Sequence, residues 1–280
     1  MREITCSTIT DAIKKMCIEA ATILPQDVEK ALSQKHDEED SALAKKTLQV
    51  LMDNAKLAQE KQMPICQDTG MAFVYVTMGQ EVHITGGSLN EAIQEGVRQG
   101  YTEGYLRKSV VKDPLFERTN TKDNTPAIIY YDIVEGVTLA PKGFGSENMS
   151  QIKMLKPSDG LQGIKDFVMK VVNDAGPNAC PPMVIGVGIG GSFDKVAMLA
   201  KKAMIREIGS HHPDQRYASL EDELLQMINE TGTGPAGYGG KTTALSLNIE
   251  TFPTHIAGMP VAVSICCHVS RHKEVSLWFI

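Results

Sequence analysis

The first sixty residues repeat apolar side chains at helical intervals. Ile9, Ile13, Met16, Cys17, Ala20 and Leu24 fall on one helical face, and Pro25 closes the run. A second helix begins near Gln26, with Val28, Ala31 and Leu32 on one side, and residues 34–40 form a polar connection. A third helix spans 41–61, with Leu43, Thr47, Val50, Leu51 and Ala55 expected to face inward and Pro64 ending it. After Cys66 the period shortens. Residues 71–77 and 81–84 read as strands parted by Gly79, and 88–104 as a helix capped by Ser88 or Asn90. Residues 127–133 and 136–140 read as strands joined by a tight turn. Helices over 159–172, 194–208 and 220–228 surround a β-branched strand at 183–189, and 242–277 alternates short strands with turns. This pattern predicts a mixed α/β (α+β) fold, a helical N-terminal part followed by a mixed α/β body. No repeat, low-complexity tract or linker interrupts it, so residues 1–280 are expected to form a single domain.

A chain of 280 residues can bury a sizeable core, and 42% hydrophobic with 22% charged residues is ordinary for a globular protein. A net charge of −6 argues against nucleic acid or an anionic membrane as the main partner, because both call for a basic surface. A small anionic substrate needs only a few local cations and stays open. Residues 1–5 carry no apolar signal region and no apolar run reaches membrane-spanning length, so a cytoplasmic location is expected. There the six cysteines would be reduced thiols: metal ligands, nucleophiles or core residues.

Two glycine-rich stretches imitate nucleotide sites. Gly186-Val-Gly188-Ile-Gly190-Gly191 fits G-x-G-x-x-G between a strand and a helix. The turn comes far too late in the chain for a first Rossmann strand, and Glu207 falls inside the following helix. A tight strand-to-helix turn, its amides available to an anion, is the plainer expectation. Gly234 to Thr242 approaches a P-loop, but Pro235 stands where the first required glycine belongs. Its fixed φ and missing N–H remove the phosphate cradle.

The cysteines carry more. Cys17 keeps step with a helix's apolar positions, and Cys6 fits the same role; both read as core. Cys66 lies in Pro64-Ile-Cys-Gln-Asp-Thr-Gly70, Cys180 in Gly176-Pro-Asn-Ala-Cys-Pro-Pro182, and Cys266-Cys267 open Cys-Cys-His-Val-Ser-Arg-His272. These are loops or strand ends, too far apart for a zinc knuckle. Three such thiolates could hold one metal centre if the fold gathers them. On a four-iron cubane they would leave one iron without a protein ligand, and an open position marks a catalytic metal. Spacing alone equally allows three unconnected thiols, and it does not separate Cys266 from Cys267.

Five motifs occur together and in order: Cys66-Gln67-Asp68-Thr69-Gly70, the run Tyr105 to Pro114, Lys142-Gly143-Phe144-Gly145-Ser146-Glu147-Asn148, Asn178-Ala179-Cys180-Pro181-Pro182 with its glycine turn, and Cys267-His268 before Arg271-His272. In this the chain resembles the iron–sulfur (class I) fumarate hydratases and their relatives the L-tartrate dehydratases, over nearly its whole length. It matches their alpha subunit, or the cluster-binding N-terminal half of the one-chain forms.

The resemblance implies a hydro-lyase that reversibly hydrates fumarate to L-malate with a 4Fe-4S cluster held by Cys66, Cys180 and Cys267. It implies Gln67 and Arg107 as contacts to a small dicarboxylate, and Gly143 and Gly145 as the loop meeting a substrate carboxylate. Phe144 departs from the glycine common there. Asp68 is implied as an acid that protonates the departing hydroxide, with His255 expected close to it. Arg107 suits this chemistry, since a guanidinium binds a carboxylate through two parallel hydrogen bonds. Without the motifs, Arg107 reads as a surface cation, Gln67–Gly70 as a turn and His255 as a loop residue. The base for the C3 proton is implied to lie on a separate beta subunit, in a dimer of alpha/beta units; the apolar tail 275–280 suits a partner contact or a final strand. L-Tartrate dehydration is the alternative activity. A non-catalytic iron–sulfur protein, with Cys266 or His268 as fourth ligand, is the alternative class.

Overall fold

A computed structural model describes residues 2–112, 118–133 and 136–275. In chain order its elements are β1 (Arg2–Thr5), α1 (Cys6–Thr22), α2 (Gln26–Glu38), α3 (Ala42–Lys61), β2 (Met71–Thr77), β3 (Val82–Thr85), α4 (Leu89–Glu103), β4 (Ile128–Asp132) and β5 (Gly136–Lys142). There follow α5 (Phe144–Glu147), β6 (Gln151–Leu155), α6 (Gly160–Ala175), β7 (Met183–Gly190), α7 (Phe193–Met204), α8 (Gln215–Glu230), β8 (Ala244–Phe252), β9 (Met259–Cys266) and β10 (Lys273–Val275). Mixed α/β is the observed class. The expected turn at 134–135, the Asp113-Pro114 end of one motif and the tail 276–280 lie outside the described residues. No described helix is long and apolar enough to cross a membrane.

The chain divides into two compact units. The first comprises Met1–Pro25, Asn54–Phe144 and Arg271–Ile280; the second comprises Gln26–Asp53 and Gly145–Ser270. In the first, a sheet of order β10-β5-β2-β4 pairs β2 parallel to β4 and antiparallel to β5. Its core joins Ile13, Met16 and Cys17 of α1 to Val97 and Tyr101 of α4 and Val74 of β2. Two glycines let α1 and α4 touch. A Cβ on Gly96 would lie 2.6 Å from Ile13 Cβ, and one on Gly100 2.7 Å from Cys17 Cβ. Ser88 caps α4 by accepting from the Glu91 amide.

In the second unit the sheet order is β6-β9-β7-β8, with β7 parallel to β8 and antiparallel to β9. Strand side chains alternate between faces. Ile185 and Val187 of β7 join Val168 and Val171 of α6 and Leu224 and Ile228 of α8 in one core. Gly186 and Gly188 turn the other way, under α7. A Cβ there would stand 2.1 Å from Ala200 O or 2.3 Å from Val196 O, so only glycine lets the helix lie that close. The G-x-G pattern is thus a helix-packing device inside a strand, followed by a turn at Gly190 and Gly191, both at positive φ.

Three expectations are corrected. In α3 the buried stripe is Ala44, Leu48, Ala55 and Ala58, whereas Leu43 and Val50 are 53% and 56% exposed. Close approach, not side-chain bulk, sets that face: a Cβ on Gly240 would sit 2.7 Å from Ala44 Cβ. Helix α8 starts at Gln215 because the Asp214 carboxylate caps it, accepting from the Arg216 amide at 2.9 Å. The C-terminal strands β8 and β9 are long, at nine and eight residues, with β9 central in its sheet and β8 at its edge.

Candidate active site

In the first unit the site residues gather on one loop. The Ile65 amide donates to Ala21 O and Asn54 Nδ2 donates to Ile65 O, each at 2.9 Å, so the chain leaving α3 is pinned on both sides. Cys66 follows, half-buried, its sulfur accepting from the Asp68 amide at 3.4 Å. Gln67 is exposed. Asp68 is held at three points: Oδ1 accepts from the Gly70 amide at 3.0 Å, Oδ2 from the Phe144 amide at 3.0 Å, and its main-chain oxygen from Arg271 Nη2 at 2.9 Å. Gly70 has φ +70°, and a Cβ there would meet Lys142 O at 2.4 Å, so the loop needs glycine to cross the end of β5.

Buried groups brace this loop from beneath. The Tyr101 hydroxyl donates to Thr69 O at 2.7 Å, and burial raises its pKa far above the ordinary phenol value, so it stays protonated. Asn124 Nδ2 donates to Gly70 O at 3.0 Å, while its Oδ1 accepts from the amides of Ser109 and Val110. Thr69 Oγ1 donates to Arg107 O at 2.9 Å and so fixes the backbone beneath an exposed guanidinium. Gly143 is buried beside Asp68; a Cβ on it would lie 3.4 Å from Asp68 Oδ2. The first unit therefore brings together Cys66, Gln67, Asp68, Arg107 and Gly143.

In the second unit Cys180 ends a 3-10 turn over Gly176–Ala179 and adopts φ 52°, ψ 62°, a left-handed conformation rare for a side chain-bearing residue. Its carbonyl accepts from the His268 amide at 3.3 Å and lies 3.0 Å from His268 Nδ1. The register Val184↔Cys266 sets the loop before β7 and the loop after β9 at the same end of the sheet. Cys180 and Cys267 thus lie at the same end of the sheet. Cys266 is buried within β9, while Cys267 stands half-buried just beyond it. The near-P-loop supports them: the Ala236 amide donates to Pro181 O at 2.8 Å, and a Cβ on Gly237 would lie 2.5 Å from Pro177 Cβ.

His255 lies elsewhere in this unit. It follows Phe252, which pairs with Gly190 at the far end of β7, and Thr254 Oγ1 anchors its loop by donating to Gly191 O at 3.0 Å. The length of β9, eight residues, separates that loop from Cys267 by about 23 Å at the usual rise per residue. Its Nδ1 accepts from the Ala257 amide at 3.2 Å, which leaves Nε2 outward on an exposed ring. Gly145 is exposed. Among the described residues no three His, Cys, Asp or Glu side chains are gathered as a metal-holding group. Tyr101 and Asn124 gave no signal in the sequence beyond their identity, and Arg271 was visible only as the end of a motif, since folding alone brings the three to residues 66–70.

A family model described as Fumarate hydratase (Fumerase) matches residues 10–276. The chain is 43% identical over 280 residues to a Methanocaldococcus jannaschii protein provisionally named L(+)-tartrate dehydratase subunit alpha, covering 96% of this chain and 98% of that one. It is 31% identical over 271 residues to proteins named L(+)-tartrate dehydratase subunit alpha from Escherichia coli and Shigella sonnei, covering 94% of this chain and 88% of theirs.

Proposed function

Because this chain belongs to the fumarate hydratase (Fumerase) family, we propose that it is the alpha subunit of an iron–sulfur hydro-lyase that interconverts fumarate and L-malate. The observation that carries the proposal is the Cys66–Gly70 loop, where a thiol and a carboxylate two residues apart are both fixed by main-chain amides. We propose Cys66, Cys180 and Cys267 as the ligands of a 4Fe-4S cluster. The donors fit such a group: all three sulfurs sit off the regular elements and none is buried like Cys17 or Cys266. The Cys66 sulfur also accepts an amide N–H, of the kind that tunes cluster sulfurs. When bound, the cluster supplies a Lewis-acidic iron that helps hydroxide leave.

The chain's own residues do the rest. Arg107 and Gln67 hold the carboxylates of the substrate, Arg107 through paired charge-assisted hydrogen bonds. Gly143 and Gly145 leave the main chain of their loop open to a carboxylate, where a larger side chain would stand in the way. Asp68 delivers the proton to the departing hydroxide, and its two amide contacts aim the carboxylate while it does so. His255 is read as the histidine beside Asp68, as the resemblance implies, and within its own unit it lies at the opposite end of the sheet from Cys180 and Cys267. Relatives named as alpha subunits support a beta-subunit partner, and we propose a dimer of alpha/beta units with the base for the C3 proton on the beta subunit.

L-Tartrate is the second reading, favoured by the names of the relatives above. The test is turnover by the chain combined anaerobically with its beta subunit, iron and sulfide. Malate formed from fumarate supports the first reading, and oxaloacetate formed from L-tartrate at a higher kcat/KM supports the second. Turnover of neither by an iron-loaded complex contradicts both.

A further inference from the structure

Arg271 is a buried charged group of the first unit that the reaction above leaves unused. Its side chain is 3% exposed, and of its nitrogens Nη2 alone is engaged, on the main-chain oxygen of Asp68 at 2.9 Å. Nε and Nη1 are buried and make no hydrogen bond among the described residues. Burying a guanidinium with idle donors works against stability, so a residue kept in that state is a candidate for a functional part. Its one bond lands on the proposed acid. A Cβ on Gly143 would lie 3.7 Å from Arg271 Nη2 and 3.4 Å from Asp68 Oδ2, so guanidinium and carboxylate flank the same glycine.

We propose that Arg271 is a positioning residue for Asp68. The amides of Gly70 and Phe144 fix where the carboxylate oxygens point, but they act on the end of a side chain whose peptide could still rotate. Arg271 grips that peptide. It thereby keeps the carboxylate against Gly143 without touching the substrate, its own idle nitrogens being buried away from solvent. The proposal rests on the reading of Asp68 as the acid.

The test compares Arg271→Met and Arg271→Lys in the iron-loaded alpha/beta complex. Arg271→Met should lower kcat about 30- to 100-fold, no more than the low end of what general acid catalysis supplies, with KM changed less than about twofold. Arg271→Lys, which can still reach the carbonyl, should recover about tenfold of that loss. In an Asp68→Asn background Arg271→Met should cost less than about twofold more, because the two residues act as one. Hydrogen exchange gives a readout independent of turnover: the Gly70 and Phe144 amides should exchange about tenfold faster in Arg271→Met, with β7 unchanged. Unchanged exchange at those two amides, additive losses in the double variant, or a raised KM with kcat intact would each overturn the proposal. If Arg271→Met does not fold, Arg271→Lys carries the same comparisons at smaller amplitude. A wild-type complex that turns over neither dicarboxylate defeats the reading of Asp68, and the exchange arm alone then decides whether Arg271 pins it.

Discussion

Burial separates the thiols of this chain by chemistry. Cys17 is fully enclosed and its thiol is pushed up to about 12, so it stays protonated and inert at neutral pH. Cys66, Cys180 and Cys267 keep surface at loops. Replacing any of these three with Ser should leave less than half of the wild-type iron after reconstitution, whereas Cys266→Ser should leave it intact; iron and sulfide assays decide. The sequence could not choose between Cys266 and Cys267, because their difference is one of strand register, and only the pairing of Val184 with Cys266 buries one and frees its neighbour. Asp123 offers a test of a different kind. Burial alone would raise its carboxyl, but bonds from the Thr125 amide and hydroxyl and from Arg98 outweigh that and hold it at about 2. A depressed carboxyl stabilises the fold above the ordinary aspartate value near pH 4 and loses that contribution as pH falls toward its folded value. Asp123→Asn should therefore melt below wild type at pH 7, with the gap closing between about pH 4 and pH 2. A gap that stays constant over that window contradicts the assignment.

At the scale of elements, glycine decides more than the hydrophobic pattern does. Gly186 and Gly188 admit α7 to the face of β7, and Gly96 and Gly100 admit α1 to α4. Gly188→Ala would press a methyl to 2.3 Å from Val196 O, a main-chain atom with little freedom to yield. We expect it to cost about 1–3 kcal/mol, as overpacking does, and to lower Tm by several degrees at constant iron content. An unchanged Tm would mean the helix can ride up freely. Such glycines explain what could and could not be read in advance. Helix and strand periods exposed α1, α4, β2 and β7 to within a few residues, because their apolar faces are long. The buried face of α3 was misread because alanines, chosen for close approach, carry it. The G-x-G stretch was visible, but its meaning depended on which helix lies above it.

Across the whole molecule, the proposed site residues fall into sets. Cys66, Asp68 and Gly143 share one braced loop system, and Cys180 and Cys267 share one end of a sheet. His255 sits at the opposite end of that sheet. If a second copy supplies it, complexes mixed from Asp68→Asn and His255→Asn chains should regain activity that neither variant has alone, up to about a quarter of wild type for random pairing. No recovery in the mixture would mean that His255 does not reach Asp68 from a second copy. The sequence motifs named Cys66, Asp68, Gly143, Cys180 and Cys267 as candidates, and the resemblance added His255, yet their grouping depends on strand order and pairing. The proposal's centre is a shared cluster with one iron open to substrate. Anaerobic Mössbauer spectra of the 57Fe-loaded protein, with and without saturating fumarate or L-tartrate, address it most directly. One iron of the four should change its signal when substrate is added, and Cys180→Ser should abolish that change. A loaded cluster whose irons all stay unchanged under saturating substrate would contradict it.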